Sequence, residues 1–279
     1  MDTSGIFEAL KEKADSSVQI DESDYIKDGI LYCGKCNTPK QARVNVMGSI
    51  ITPMCLCKCE AEKEKAVEEA NRARNEILRT RTLRVMGFAD ADLAKCTFGK
   101  DDASNAKLTS IATKYVANFN LMKRRGKGLL LYGDVGTGKT FMSACIANAL
   151  IDKGHPCLVT NFARLTNTLQ GMYEGKQKYL DQLNGFHLLV IDDLASERDT
   201  EYMNEMVQTI IDSRYRSGLP LIVTTNLTAG ELKNPIDMKK KRIYSRLFEM
   251  CVPVEVSGKD RRREKLKADH NELAEVLGL

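Results

Sequence analysis

A lysine and a threonine in tandem, with glycines at two fixed offsets before them, can hold a phosphate chain. Gly133, Gly138, Lys139 and Thr140 fit G-x-x-x-x-G-K-[ST] within "LLLYGDVGTGKTFMSACIANAL". The glycines let backbone N–H groups turn inward around a phosphate, and a helix N-terminus behind them adds a favourable partial charge. Lys139 is placed to reach the β- and γ-phosphates, and the Thr140 hydroxyl to hold Mg²⁺. Gly133, Asp134, Val135, Gly136, Thr137, Gly138, Lys139, Thr140 and Phe141 together form the expected nucleotide cradle. A chance glycine-rich turn would lack the apolar strand that enters this loop and the amphipathic helix that leaves it.

Two later segments can complete such a site. "FHLLVIDDLASE" runs four apolar residues into two aspartates, the form of a Walker B strand. Asp192 is expected to hold Mg²⁺ through water, and Asp193 to polarise the attacking water. Nucleotide hydrolases of this kind mostly carry glutamate at the second position. Aspartate is one methylene shorter, which implies hydrolysis that is slow or dependent on a partner. "LPLIVTTNL" ends a further buried strand in Thr224, Thr225 and Asn226, where a polar side chain can sense a γ-phosphate. Alone, TTN would be an ordinary strand-end turn; the two preceding motifs give it a place beside the nucleotide.

A third group is built from sulfur. Cys33 and Cys36 stand in "LYCGKC", and Cys55, Cys57 and Cys59 in "PMCLCKCEAEK". A C-x₂-C pair, a spacer of about 20 residues and a C-x-C pair suit tetrahedral zinc, with the hairpin and knuckles of a zinc ribbon. An iron–sulfur cluster is the rival, and the C-x₂-C hairpin spacing disfavours it. A segment this short has too little core to fold alone, so metal would supply folding energy. Cys96, Cys145, Cys157 and Cys251 read as small buried apolar residues. The histidines, His155, His187 and His270, all lie far downstream.

The elements that must position these groups can be read in outline. The 279 residues are 43% hydrophobic and 29% charged, with a net charge of +4; this balance does not demand a polyanionic partner. No apolar run is long enough to span a bilayer, and "MDTSGIFEALKEKADSS" has no apolar signal core. A cytoplasmic, reducing location is therefore expected, with the cysteines as thiols or metal ligands. A short helix is expected over Ile6–Ala14, β-prone stretches at "ARVNV" and "SIITP", and a charged helix from Glu60 to about Val85. Strands follow at 128–132, 157–160, 187–192 and 220–225, with helices starting near Lys139, Phe162 and Asp199. "TAGE" at 228–231 has the form of a capping box, and a last helix is expected over Asp260–Leu277, stopped by Gly278. Alternation of strands and helices predicts an α/β fold with a parallel sheet flanked by helices.

The motifs in this order, followed by "RIYSRLF" and "SGKDRRR", resemble the AAA+ ATPases of the DnaC/DnaI helicase-loader branch over residues 95 to 265. The IstB transposition ATPases are close relatives. The resemblance implies a zinc-ribbon-like partner-binding domain at 1–59, a charged helical linker at 60–94, and an AAA+ P-loop ATPase domain with a minimal lid at 95–279. It implies ATP, Mg²⁺ and Zn²⁺ as cofactors and Lys139, Asp192, Asp193, Asn226 and Arg246 as catalytic residues. Arg246 would be an arginine finger given to a neighbouring subunit, with Arg242 as the alternative, so self-association is expected. Arg261 or Arg262 would be a sensor within the same subunit; adjacent arginines diverge on a helix, so one of the two is expected at the ligand. The "CKCE" form favours Cys33, Cys36, Cys57 and Cys59 as zinc ligands, leaving Cys55 as the spare or a competitor. Implied partners are a replicative hexameric helicase and single-stranded DNA, the latter near "LMKRRGKG" and "MKKKR"; no membrane partner is implied. An IstB-like transposition helper and a regulatory adaptor with little hydrolysis are the alternatives. The adenine pocket is to be sought near "TFGKDDAS".

Overall fold

Short apolar runs whose successive side chains point to opposite faces build a sheet that must be covered on both sides. The structure, a computed structural model, describes residues 20–46, 48–195, 200–235, 237–263 and 266. The expected helix at Ile6–Ala14, the expected helix start at Asp199, and most of the expected helix Asp260–Leu277 with its stop at Gly278 lie outside these residues. The chain divides into two compact units, Met1–Ile77 and Leu78–Leu279.

In the first unit, β1 (Tyr25–Lys27) pairs antiparallel with β2 (Ile30–Tyr32), and β3 (Val44–Val46) with β4 (Ser49–Ile51). Asp28 and Gly29, at φ 53° and 74°, make the Asp-Gly turn that a tight hairpin favours. Helix α1 (Lys58–Gly87) follows. Among the described residues of this unit, only Cys33 and Cys57 are fully buried apolar side chains. Lys40, 1% exposed, instead forms ion pairs with Asp24 at 2.7 Å and Glu60 at 3.1 Å. Burial opposes the Lys40 charge, but Asp24 and Glu60 outweigh it and hold its pKa above the usual lysine value. The Asp24 carboxylate also accepts from Gly34 N at 3.1 Å. This ionic cluster ties the loop around Cys33 to the start of α1.

The second unit carries α2 (Ala106–Ala117), α3 (Phe119–Arg124), β5 (Gly128–Tyr132), α4 (Lys139–Asp152), β6 (Cys157–Asn161), α5 (Phe162–Gln170) and α6 (Lys176–Leu183). It continues with β7 (Leu188–Leu194), α7 (Glu201–Ser217), β8 (Leu221–Thr225), α8 (Ala229–Lys233), α9 (Met238–Met250) and β9 (Cys251–Glu255). The five strands are parallel in the order β6-β7-β8-β5-β9. Leu129, Leu131, Leu188, Val190 and Ile222 pack beneath α2, α3 and α4. Their strand neighbours Leu130, Leu189, Ile191, Leu221 and Val223 pack beneath α5, α6, α7 and α9. The α/β fold with helices on both faces is thus as expected. The capping box is formed: Thr228 Oγ1 accepts from Glu231 N and the Glu231 carboxylate accepts from Thr228 N.

Strands β1 and β2 and helices α2, α3 and α6 add to the elements expected from the sequence, and two further features depart from those expectations. Strand β9 was not anticipated, because Pro253 interrupts its pattern and proline is tolerated only at a sheet edge; β9 is that edge. Cys96 is only partly buried, whereas Cys145, Cys157 and Cys251 are buried as expected.

Arg214 is 0% exposed, and the bonds recorded for it run to carbonyls. Its guanidinium donates to Leu183 O, Phe186 O, His187 O and Pro220 O at 2.8–3.4 Å, clamping the entries of β7 and β8. Burial lowers its pKa to about 10, which still leaves it protonated at neutral pH. Arg214→Ala strands these carbonyls in the interior and is expected to lower unfolding free energy by about 3 kcal/mol. Urea unfolding of the two proteins measures this; an unchanged midpoint and slope would contradict it.

Candidate functional site

The loop between β5 and α4 lies at the carboxyl end of the parallel sheet, where open α/β sheets place their ligands. Three of its residues have backbone angles that favour glycine: Gly133 at φ 130°, Gly136 at 77° and Gly138 at 93°. Each also meets the segment that follows β9. A Cβ at Gly133 would sit 2.6 Å from Val256 O, one at Gly136 1.9 Å from Asp260 Oδ1, and one at Gly138 3.3 Å from the Arg261 guanidinium. Arg261 N donates to Gly136 O at 3.0 Å. Asp260 Oδ1 accepts from Arg262 N at 3.0 Å and Arg263 N at 3.3 Å, capping the turn that carries the arginines. That packing onto the loop was not read from the sequence, although an aspartate before a basic helical run is a cap signal.

Inside the loop, Lys139 Nζ donates to Gly133 O at 2.8 Å and Asp134 O at 2.6 Å. Burial pulls its pKa below the usual lysine value, with Asp193, Asp192 and Asp134 acting in the opposite direction. Thr140 Oγ1 donates to the Asp192 carboxylate at 2.9 Å, and Thr224 Oγ1 donates to it at 2.5 Å. Burial raises the Asp192 pKa, against the Thr224 hydrogen bond, and the charge of Asp193 adds to the rise. A hydroxyl and a carboxylate in contact beside a phosphate loop are hard oxygen donors that suit Mg²⁺, which takes its other ligands from water and phosphate.

Asp193 stands at φ 58°, at an irregularity where the β7–β8 register shifts between Ile191 and Leu194. Its N–H donates to Thr224 Oγ1 at 3.0 Å. A non-glycine residue held there is strained, and such strain concentrates at functional sites. The bulge puts Asp193 on a cavity of about 270 Å³ shared with the loop, Phe141, Asn226, Arg261 and Arg262. Both arginines border this cavity, contrary to the expectation that only one would. At the first turn beside an open mouth, side chains 100° apart can flank one space.

Arg246 is elsewhere. Its Nε lies 2.7 Å from Asp212 Oδ1 and its guanidinium 4.3 Å over the Tyr215 ring. With Arg242 and Lys241 it lines a separate groove of about 630 Å³ on α9. Neither Arg242 nor Arg246 borders the phosphate cavity.

In the first unit, the sulfur atoms of Cys33, Cys36, Cys57 and Cys59 all lie within 4.8 Å of one another, with Cys33–Cys59 at 3.6 Å and Cys57–Cys59 at 3.3 Å. A zinc tetrathiolate with bonds of about 2.3 Å has sulfurs about 3.8 Å apart, so the donor set fits zinc. Cys33 O accepts from Asn37 N at 2.9 Å, closing the first knuckle, and Cys57 O accepts from Ala61 N at 2.9 Å, so the second knuckle runs into α1. Cys55 Sγ points to Pro39 O at 3.7 Å instead. No helix among the described residues is long and apolar enough to cross a membrane.

Comparison with known proteins adds lineage to this geometry. The family described as IstB-like ATP binding protein matches residues 58–268. The replicative helicase loader DnaI of Bacillus subtilis (strain 168) is 29% identical over 192 residues, covering 63% of this chain and 61% of that protein. The replicative helicase loader DnaC of Escherichia coli (strain K12) is 26% identical over 127 residues, covering 44% of this chain and 51% of that protein. The chain thus spans less than two thirds of the length of either relative. A solved DnaI structure superposes with a TM-score of 0.54 at 23% identity, covering 64% of this chain and 98% of that one. A putative primosome component from Streptococcus pyogenes serotype M3 gives 0.53 at 22% identity, covering 64% and 97%. The likeness to these structures shows a shared fold.

Two predictions follow from contacts in the two sites. Gly136→Ala places a methyl on Asp260 in a left-handed backbone, a cost of about 1–2 kcal/mol, so affinity for a fluorescent ATP analogue is expected to fall about tenfold; equal affinity would contradict the contact. Elemental analysis should find stoichiometric zinc in wild type and Cys55→Ser, and loss from the serine variants of Cys33, Cys36, Cys57 and Cys59. Loss from Cys55→Ser with retention in Cys59→Ser would reverse the ligand choice.

Proposed function

Because the chain belongs to the family of IstB-like ATP binding proteins, we propose that it is an ATP-driven loader that delivers a ring-shaped replicative helicase onto single-stranded DNA. The observation that carries this reading is the division of basic groups between two places. The loop with its Lys139 shares one cavity with Asp193, Asn226, Arg261 and Arg262, while Arg246 lines a separate groove, where it can serve a neighbouring subunit. Relatives that are named helicase loaders support the same reading.

In this mechanism Lys139 leaves the carbonyls of Gly133 and Asp134 and turns to the β- and γ-phosphates. Thr140 and Asp192 would hold Mg²⁺, which would supply positive charge against the phosphates. Asp193 polarises the attacking water, Asn226 senses the γ-phosphate, and Arg246 from the next subunit stabilises charge on the transferring group. Cys33, Cys36, Cys57 and Cys59 would hold zinc in a structural role: with few buried apolar side chains among the described residues of this segment, the metal would supply the order that a helicase-binding shape requires. Residues 60–94 link this region to the ATPase domain at 95–279, and the protein works in the cytoplasm. The family name keeps a transposition helper as a second reading, and the short, strained Asp193 keeps an adaptor that hydrolyses little.

Co-purification of the full chain with the host replicative helicase is expected; no association would count against the loader and towards the transposition helper. Arg246→Ala should lower ATP turnover about a thousandfold at concentrations where the protein self-associates. Equal rates would remove Arg246 from the reaction, and no turnover in wild type with its helicase and DNA would favour the adaptor.

A further inference from the structure

Arg261, which borders the phosphate cavity, is gripped by residues that do not border it. Its Nη2 lies 3.2 Å from Asp102 Oδ1 and donates to Ser104 Oγ, and its Nη1 lies 3.9 Å from Asp101 Oδ1. The Asp101 side chain is only 3% exposed. Its Oδ2 accepts from Thr109 Oγ1 at 2.5 Å, but its Oδ1 is buried and has no hydrogen-bond partner among the described residues. A buried carboxylate oxygen without a donor is costly unless a positive charge faces it, and Arg261 is the cation in place to do so. The same strand of contacts continues one residue on. Asn105 caps α2 by accepting from Leu108 N at 3.0 Å, and its amide donates to Ser257 O at 3.0 Å. Residues 101–105 are therefore bonded to the 257–261 segment at two separate points, and that segment lies on the phosphate loop.

We propose that Asp101 and Asp102 are positioning residues that hold the Arg261 guanidinium over Gly138, with its free N–H groups turned to the phosphate cavity. An arginine at a cavity mouth loses about 2 kcal/mol of side-chain freedom when it is fixed on a ligand. Two carboxylates behind the guanidinium remove much of that freedom before nucleotide arrives, which is preorganisation. Asp101 does this from a buried, rigid position, and Asp102 from the surface. Both leave the guanidinium charged, so its attraction is greatest for the ligand with the most phosphate charge. The acidic pair thereby sets how strongly the site prefers a nucleoside triphosphate over a diphosphate. The Asp-Asp-x-Ser stretch of "TFGKDDAS" acquires a role in phosphate recognition.

This inference rests on the reading of the cavity as an ATP site, and a double-mutant cycle on the full-length protein separates the two. Fluorescent ATP and ADP analogues are titrated into wild type, Asp101→Asn, Asp102→Asn, Arg261→Ala and the two Asn/Ala combinations. Asp102 is on the surface, so its variant tests the idea even if Asp101→Asn folds poorly. Each Asn change is expected to weaken the ATP analogue about fivefold and the ADP analogue less than about twofold. In the Arg261→Ala background the same changes should have no effect, whereas a merely structural role would lower affinity equally in both backgrounds. Equal losses, no loss, or tighter ATP binding in the Asn variants would each overturn the positioning role. Failure of wild type to bind either analogue would instead overturn the ATP reading itself.

Discussion

The close approach of the Val256–Arg261 segment to three glycines of the phosphate loop is the contact on which the rest of the second unit depends. Val256 O, Asp260 and Arg261 occupy the space where side chains at Gly133, Gly136 and Gly138 would stand. The loop is therefore glycine-rich for two reasons that coincide: its backbone must curl with N–H groups inward, and another part of the chain lies directly on it. Strand β9 makes that approach possible. It pairs in parallel with β5, the strand that enters the loop, and Val256 N extends the pairing by donating to Tyr132 O at 2.8 Å. A weak edge strand thus delivers two arginines to the nucleotide cavity.

The two ends of the sheet have different tasks. At the carboxyl ends, polar groups are left strained or partly compensated, as with Asp193 in its left-handed conformation and Asp192 raised by burial. At the amino ends, Arg214 satisfies the backbone where β7 and β8 begin. A rigid entry lets the exit carry strain. The first unit is organised on another principle. Among its described residues little hydrocarbon is buried, and four convergent thiols and the Lys40–Asp24–Glu60 cluster stand in its interior instead.

Much of this was legible in the sequence because it is encoded locally. The phosphate loop, the aspartate pair, the TTN end and the capping box are contiguous strings whose chemistry dictates their spacing, and the α/β sheet follows from alternating patterns. What escaped is non-local or masked by a single residue. Pro253 hid β9, since proline within a run argues against a strand unless its edge position is known. The packing of Asp260 and Arg261 onto Gly136 and Gly138 joins residues more than 120 positions apart, and no periodicity signals it. Five cysteines left one surplus ligand; three-dimensional convergence separates Cys55 from the other four. Asp101 and Asp102 resemble any exposed turn in the sequence, and only their contacts with Arg261 distinguish them.

In the proposed mechanism one catalytic site is completed by two subunits, with Lys139 from one and Arg246 from the next. Mixing two inactive proteins tests it most directly. Lys139→Ala and Arg246→Ala chains are each assayed for ATP turnover alone and then together, with co-assembly followed by light scattering. Turnover should reappear in the mixture, because some interfaces then pair an intact loop with an intact arginine. Absence of turnover in a mixture that demonstrably co-assembles would contradict the shared site.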